Sequence, residues 1–171
     1  MVRHIDSLVL VWRIAEVEAL HLGSKQIEPP HLFLGLLKIV DLNIEKVLVG
    51  TTFLHVDSVN REVGSLRDCF GEFVLDATRL RRRLRRYLGK EKLPTAPNAK
   101  HIRRSLRSRE VFLAAETLAN KSEGIVHPLH LLAALLQNQD PTIECILEEA
   151  ECFPTELRRY VMGQLGKLHR V

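Results

Sequence analysis

The sequence contains the segment IEPPHLFLGLL at residues 27–37 and repeats its pattern as VHPLHLLAALL at residues 126–136. The register between the copies holds without a gap, with 12 identities over the 53 positions from 14 to 66. His31 and His130 are one identical pair, and Pro29 and Pro128 are another. A self-match at one fixed offset indicates a duplicated structural unit.

Apolar residues recur every three or four positions over most of the chain, which is the pattern of amphipathic helices. Pro29 and Pro128 each suit the first turn of a central apolar helix, because the N–H groups there have no intrahelical partner. The remaining helices are predicted at 6–22, 43–49, 56–68, 72–88, 106–121, 142–150 and from Pro154 onward. Residues 90–100 contain two prolines and are predicted to form an extended linker. No segment shows the alternation of a strand, so the predicted fold class is all-α.

The duplication predicts one domain over residues 1–171, in which two four-helix repeats are related by a pseudo-twofold axis. Repeat one is placed at 6–68, an extra basic helix and linker at 69–105, and repeat two at 106–168. Trp12 lies on an apolar stripe and is predicted to fill the core. Gly35 is predicted to allow close approach of a neighbouring helix. The leucines expected to form the core are Leu32, Leu36, Leu37, Leu131, Leu135 and Leu136.

Composition favours a globular protein, since 46% of the 171 residues are hydrophobic and 27% are charged. The three cysteines show no paired spacing, which favours a reducing compartment, and we expect a cytoplasmic location. The apolar start at 8–11 is too short for a membrane span, so no membrane partner is predicted.

The motifs of common catalytic sites are absent from this sequence. No Gly-x-x-x-x-Gly-Lys-Ser/Thr motif occurs, so the chain does not hydrolyse ATP by that route. His127 and His130 could share a face and bind a metal, but only Glu123 lies near as a third ligand. The favoured interpretation is a helix-start histidine that hydrogen-bonds across the repeat, as His31 would. We therefore predict no enzyme activity, no cofactor and no metal.

The paired pattern resembles the Clp N-terminal domain, the double four-helix repeat that precedes the AAA+ rings of Clp/Hsp100 unfoldases. In copy one the resemblance rests on Ala15, Ala19 and HLFLGLL at 31–37. In copy two it rests on Ala114 and HLLAALL at 130–136. The segment LPTAP at 93–97 is also similar to the proline-bearing linker between the family's repeats. The resemblance implies docking of protein substrates or adaptor proteins for an AAA+ ring, in cis or in trans.

One departure from the family changes what the resemblance implies. The acidic residue that the family carries just before His-Leu is Pro30 in copy one and Leu129 in copy two. In one branch of the family those acids help to hold phosphorylated arginine, so the sequence does not predict that activity here. A more apolar groove is expected instead, with partner contacts from Pro30, Phe33, Leu129 and Leu132. For Phe33 and Leu132, plain core packing is an equally good interpretation.

The predicted helix at 72–88 concentrates positive charge and has three interpretations. It is a solvated or docked amphipathic helix, a site for an acidic protein partner, or a site for nucleic acid, which is the least favoured. Its arginines could also meet the acidic stretch at 140–156, within the fold or in a neighbouring copy. A stand-alone stabilising subunit of a Clp protease is a further functional alternative. The basic patch consists of Arg79, Arg81, Arg82, Arg83, Arg85 and Arg86.

Overall fold

The computed structural model describes residues 3–43, 56–89, 102–121 and 124–168. Three predictions fall outside these residues: the short helix at 43–49 apart from its first residue, the linker at 90–100 and any role of Glu123. The described residues form eight helices, which confirms the all-α class. These are α1 (Asp6–His21), α2 (Pro29–Asp41), α3 (Val56–Glu72), α4 (Ala77–Gly89), α5 (Leu106–Asn120), α6 (Pro128–Asn138), α7 (Pro141–Glu148) and α8 (Pro154–Leu168).

The structure adds two short strand pairs, for which the sequence showed no signal, to this all-α fold. The segments β1 (Arg3–His4) and β4 (Ile125–Val126) pair in parallel, and so do β2 (Gln26–Ile27) and β3 (Arg103–Arg104). Two residues are too few to produce a periodic sequence signal. The pairing is reciprocal, because the strand before the first helix of each repeat joins the strand before the central helix of the other. This exchange is what a pseudo-twofold axis between the repeats requires.

The central helices α2 and α6 form the middle of the core, as their nearly continuous apolar sequences predict. Almost every residue of both helices is buried, including all six predicted core leucines. One contiguous hydrophobic cluster includes residues from both repeats. The repeat boundaries remain an interpretation, and the boundary placed between 68 and 69 falls inside α3. The helix continues to Glu72 because Cys69 and Phe70 extend its buried stripe.

Gly35 lies where α1 and α2 approach each other closely, as predicted. A Cβ at this position would lie 2.6 Å from the carbonyl oxygen of Val11. Trp12 is not a core residue as predicted but is half-buried at the edge. Its ring meets Phe112 edge-on at 5.8 Å, and the guanidinium of Arg104 lies 5.2 Å from the ring centroid. This cluster joins α1 to α5 beside β3, so the tryptophan helps to hold the two repeats together.

Candidate functional site

A surface groove runs between α3 on one side and α6 and α8 on the other. It consists of two adjoining cavities of about 300 and 700 Å³, and both are lined by Ser65 and Leu129. Leu129 is almost fully buried and forms an apolar part of the floor. Polar side chains of α3 and α8 form the walls, with both charge signs represented. The other lining residues are Ser58, Arg61, Glu62, His127, Asp68, Cys69, Tyr160, Gln164 and Lys167.

Glu62 fixes the α3 wall of the groove to the first helix of the protein. Its two carboxylate oxygens accept hydrogen bonds from the hydroxyl of Ser7 on α1 and from that of Ser58, the latter at 2.9 Å. At the other end, the ring of Tyr160 meets Phe73 edge-on at 5.6 Å, which ties α8 to the turn after α3. The groove is therefore formed by elements that are held in place by contacts outside it.

Three of the four predicted partner-binding residues do not line this groove. Pro30, Phe33 and Leu132 are buried, and Phe33 and Leu132 are fully inaccessible, as expected for core packing. Leu129 is also buried but lies at the groove floor. Partner contact by these residues stays a prediction. Sequence reasoning missed the α3 wall, although polar residues at 58, 61, 62, 65 and 68 follow a helical stripe beside the apolar one.

His31 and His130 are helix-start histidines, as the sequence suggested, and each closes the first turn of its own helix. The Nδ1 atom of His31 accepts from the backbone N–H of Glu28 at 2.9 Å, and that of His130 accepts from His127 at 3.0 Å. Accepting at Nδ1 leaves the proton of a neutral imidazole on Nε2. In His31 this Nε2 lies 3.0 Å from the hydroxyl of Ser24. The equivalent roles support the duplication.

The described residues contain no group of three or more His, Cys, Asp or Glu side chains that could hold a metal ion. Burial raises the pKa of the Cys69 thiol to about 12 and that of Cys152 to about 11. Both thiols are therefore protonated at neutral pH, and a protonated thiol is a poor nucleophile. No helix formed by the described residues combines the length and the apolar character that a membrane span needs.

The basic helix α4 is docked on the domain, as the first of its three interpretations predicted. Leu80 and Leu84 are buried against the core. At one edge of α4, Arg81 lies 3.4 Å from the carboxylate of Asp41. On another edge, Arg83 lies 3.6 Å from that of Glu149. The latter contact confirms that the arginines meet the acidic stretch at 140–156 within the fold.

Arg85 of α4 forms an ion pair with the buried side chain of Glu18 on α1. The Glu18 side chain is only 2% exposed and accepts two hydrogen bonds from the Arg85 guanidinium. The Nζ atom of Lys38 lies 3.6 Å from the same carboxylate. Burial alone raises the pKa of Glu18, but the hydrogen bond and charge of Arg85 outweigh it and leave that pKa lowered. Glu18 therefore stays ionised and anchors the helix. This anchor could not be predicted from the sequence, since Glu18 is one of several acids on α1.

The solved structures similar to this chain agree on its fold. One, from work on a malarial protein secretion system, shares 18% identity with a TM-score of 0.68 and covers 96% of this chain and 95% of that one. The Hsp104 N-terminal domain from Candida albicans shares 18% identity at a TM-score of 0.64, and the match covers 93% of this chain and 89% of that one. The N-terminal domain of ClpD, a caseinolytic protease associated chaperone from Arabidopsis thaliana, shares 16% identity at a TM-score of 0.55. That match covers 96% of this chain and 95% of the other.

No protein-family model and no curated protein matches this sequence. The structures define the class: the chain has the fold of a Clp/Hsp100 N-terminal domain, which confirms the resemblance inferred from the sequence. At identities of 16% to 18% the likeness is one of fold. What the domain binds therefore depends on its own surface.

Proposed function

We propose that this chain is a non-enzymatic protein-binding domain that docks substrates or adaptor proteins for a Clp/Hsp100-type unfoldase or protease. The AAA+ ring would be attached in cis or recruited in trans. The fold supports this proposal, because similar domains come from Hsp104 and from a caseinolytic protease associated chaperone. We place this activity in the cytoplasm, in keeping with the free thiols of all three cysteines.

The observation that carries the proposal is the chemistry of the groove between α3, α6 and α8. An apolar floor at Leu129 can receive one apolar side chain of a bound segment. The walls offer hydroxyl groups at Ser58 and Ser65, and charges of both signs at Arg61 and Asp68. Donors and acceptors along an open groove suit the main chain and mixed side chains of a peptide. A polyanion such as nucleic acid would meet the carboxylates of the same walls.

The absence of a catalytic arrangement among the described residues also supports a binding role. The buried thiols of Cys69 and Cys152 are protonated, and the ring nitrogen Nδ1 of both His31 and His130 is occupied by a backbone hydrogen bond. These histidines are committed to holding the helix starts. The Nε2 atom of His31 lies 3.0 Å from the hydroxyl of Ser24, but this nitrogen carries the ring proton and donates to the hydroxyl, so it does not accept a proton as a general base would.

The proposal can be tested by filling the groove without disturbing the core. Ser65 lines both cavities and is only half-buried, so Ser65→Trp places an indole in the groove. Asn60→Trp is the matched control, since Asn60 is exposed on the same helix but lines neither cavity. The probe is fluorescently labelled, reduced and carboxymethylated α-lactalbumin, a permanently unfolded chain, and binding is followed by anisotropy.

We expect the full chain to bind this probe and Ser65→Trp to weaken binding by about tenfold, which corresponds to about 1.4 kcal/mol. Asn60→Trp should bind as the unmodified chain does. Because the rim charges are few and mixed, added salt should change the affinity little. Failure of the unmodified chain to bind, or equal binding by both variants, would show that the groove is not a docking site for unfolded protein.

A further inference from the structure

The outward face of the basic helix α4 has a charge arrangement that the fold does not use. Arg79, Arg82 and Arg86 are exposed, and none of them has an acidic partner within the part of the chain that is described. Docking of the helix is done by other residues, namely the buried leucines and the ion pairs of Arg81, Arg83 and Arg85. The three outward arginines therefore form a separate set, which we call the outer arginine row.

The outer arginine row weakens the helix that carries it. Its members are three and four residues apart, so they face each other on one side of the helix, where like charges destabilise. Arg79 also lies in the first turn, where the helix dipole disfavours positive charge. Both effects make the row destabilising for α4 in the isolated domain. A bound anionic group would remove both penalties.

The length of the row and its surroundings indicate what kind of anion fits. From Arg79 to Arg86 the row extends about 10.5 Å along the helix, at 1.5 Å per residue, which is two turns of a partner helix. Acidic side chains border the row at its start: Asp76 caps the helix through the N–H of Arg79 at 2.9 Å, and Glu149 and Glu151 line the adjoining cavity. A long phosphate backbone continuing past Arg79 would meet these carboxylates, whereas a short acidic segment would not.

Tyr87 adds a contact that favours a protein partner. Its side chain is 45% exposed and directly follows Arg86. Tyrosine and arginine are among the residues in which protein–protein interfaces are enriched, because each combines apolar area with a polar end. A partner helix with one apolar residue beside its acids could therefore cover the Tyr87 ring while its carboxylates pair with the row.

We propose that the outer arginine row and Tyr87 form a second docking surface, separate from the groove, for an acidic helical segment of a partner protein. The partner presents carboxylates three and four residues apart, matching the spacing of Arg79, Arg82 and Arg86. Each carboxylate pairs with one guanidinium at the solvent boundary, so the affinity is modest and depends on salt.

The test uses the full chain and a synthetic helical peptide of about 15 residues, long enough to hold a helix. The peptide carries three glutamates at the matching spacing, and a second peptide has glutamine at those positions. The variant Arg79→Ser/Arg82→Ser/Arg86→Ser removes the row. The control Arg13→Ser/Arg109→Ser/Arg159→Ser removes the same charge from exposed arginines elsewhere. Circular dichroism verifies that both variants fold.

We expect the glutamate peptide to bind the full chain and the control variant equally. Binding should weaken by about tenfold on removal of the row, on substitution of the glutamates, and on raising the salt. Equal loss in both variants would overturn the proposal, because it would show dependence on net charge alone. If a single-stranded DNA oligonucleotide bound more tightly than the glutamate peptide, the proposal of an acidic segment would be overturned in favour of nucleic acid. If the peptide did not bind and the chain self-associated through the row, the proposal would be overturned in favour of a second copy of the chain. Ser65→Trp should leave peptide binding unchanged, which separates this surface from the groove.

Discussion

The close contact between α1 and α2 at Gly35 predicts an unusual response to a glycine-to-alanine change. Within a helix, alanine is favoured over glycine by about 1 kcal/mol, so Gly35→Ala would stabilise α2 if space allowed. The added Cβ, however, would lie 2.6 Å from the carbonyl oxygen of Val11 and 3.0 Å from its Cγ1 atom. Restoring an ordinary separation of about 3.4 Å requires α1 to move by about 0.8 Å.

The size of the effect follows from what has to move. The clashing oxygen belongs to the backbone of α1, so no side-chain rotation relieves the contact, and Val11→Ala would not rescue the variant. Overpacking of this kind costs about 1–3 kcal/mol and can exceed the gain in helix propensity. Since both helices lie in a close-packed core, we expect a net destabilisation of about 1–2 kcal/mol.

Two other glycines provide matched controls for the same substitution. Gly64 in α3 and Gly163 in α8 occupy equivalent positions of the two repeats, and a Cβ at either would meet nothing within 4 Å. Gly64→Ala and Gly163→Ala should therefore stabilise by about 0.5–1 kcal/mol. Urea unfolding followed by circular dichroism measures the free energy of unfolding of all three variants. An unchanged dependence of that free energy on urea concentration would show that only stability differs. If Gly35→Ala is as stable as the unmodified chain, the close approach of α1 and α2 is wrong.

Three further predictions concern other parts of the fold. Glu18→Gln should destabilise by about 1–2 kcal/mol at pH 7, a figure reduced because Arg85 is partly exposed. Since the folded-state pKa of Glu18 is lowered from 4.5, its contribution is present above about that pH and is lost as the pH falls through the folded pKa; a stability difference between the variant and the unmodified chain that does not shrink as the pH falls below 4.5 would contradict this. His31→Ala and His130→Ala should each lower the free energy of unfolding, measured in urea, by about 1–2 kcal/mol more than the corresponding glutamine variants do. The reason is that glutamine at the third helical position retains the capping interaction. Unequal effects would argue against equivalent roles. Titration with a thiol reagent should modify Cys145 in the native chain and the two buried cysteines only after unfolding; rapid modification of all three would show that the core is open.

The duplicated helices were predictable because the signals that specify them are local and occur twice. Proline at the first helical position, histidine two residues later and a continuous apolar run recur with the same spacing at Pro29 and Pro128. Each signal concerns residues within one turn of each other. The apolar run of copy one also contains Gly35, the small residue at which α1 packs closely.

The groove and the anchor of the basic helix could not be predicted, because they depend on contacts between distant parts of the chain. Ser65 and Leu129 share a cavity only once α3 of the first repeat lies beside α6 of the second. Glu18 is 67 residues from Arg85, and nothing in the sequence distinguishes it from Glu16 before α4 docks. The two-residue strand pairings are hidden for the same reason. Their partners lie in opposite repeats, and two residues carry no periodicity.

The most direct test of the proposed function is to find where a bound protein touches the domain. A photoreactive benzoylphenylalanine at position 65 lies in the groove, whereas the same residue at position 60 lies outside it on the same helix. After irradiation with carboxymethylated α-lactalbumin, we predict crosslinks from position 65, competed by unlabelled probe, and few from position 60. Equal crosslinking from both positions, or none from 65 when the probe is bound, would contradict docking in the groove.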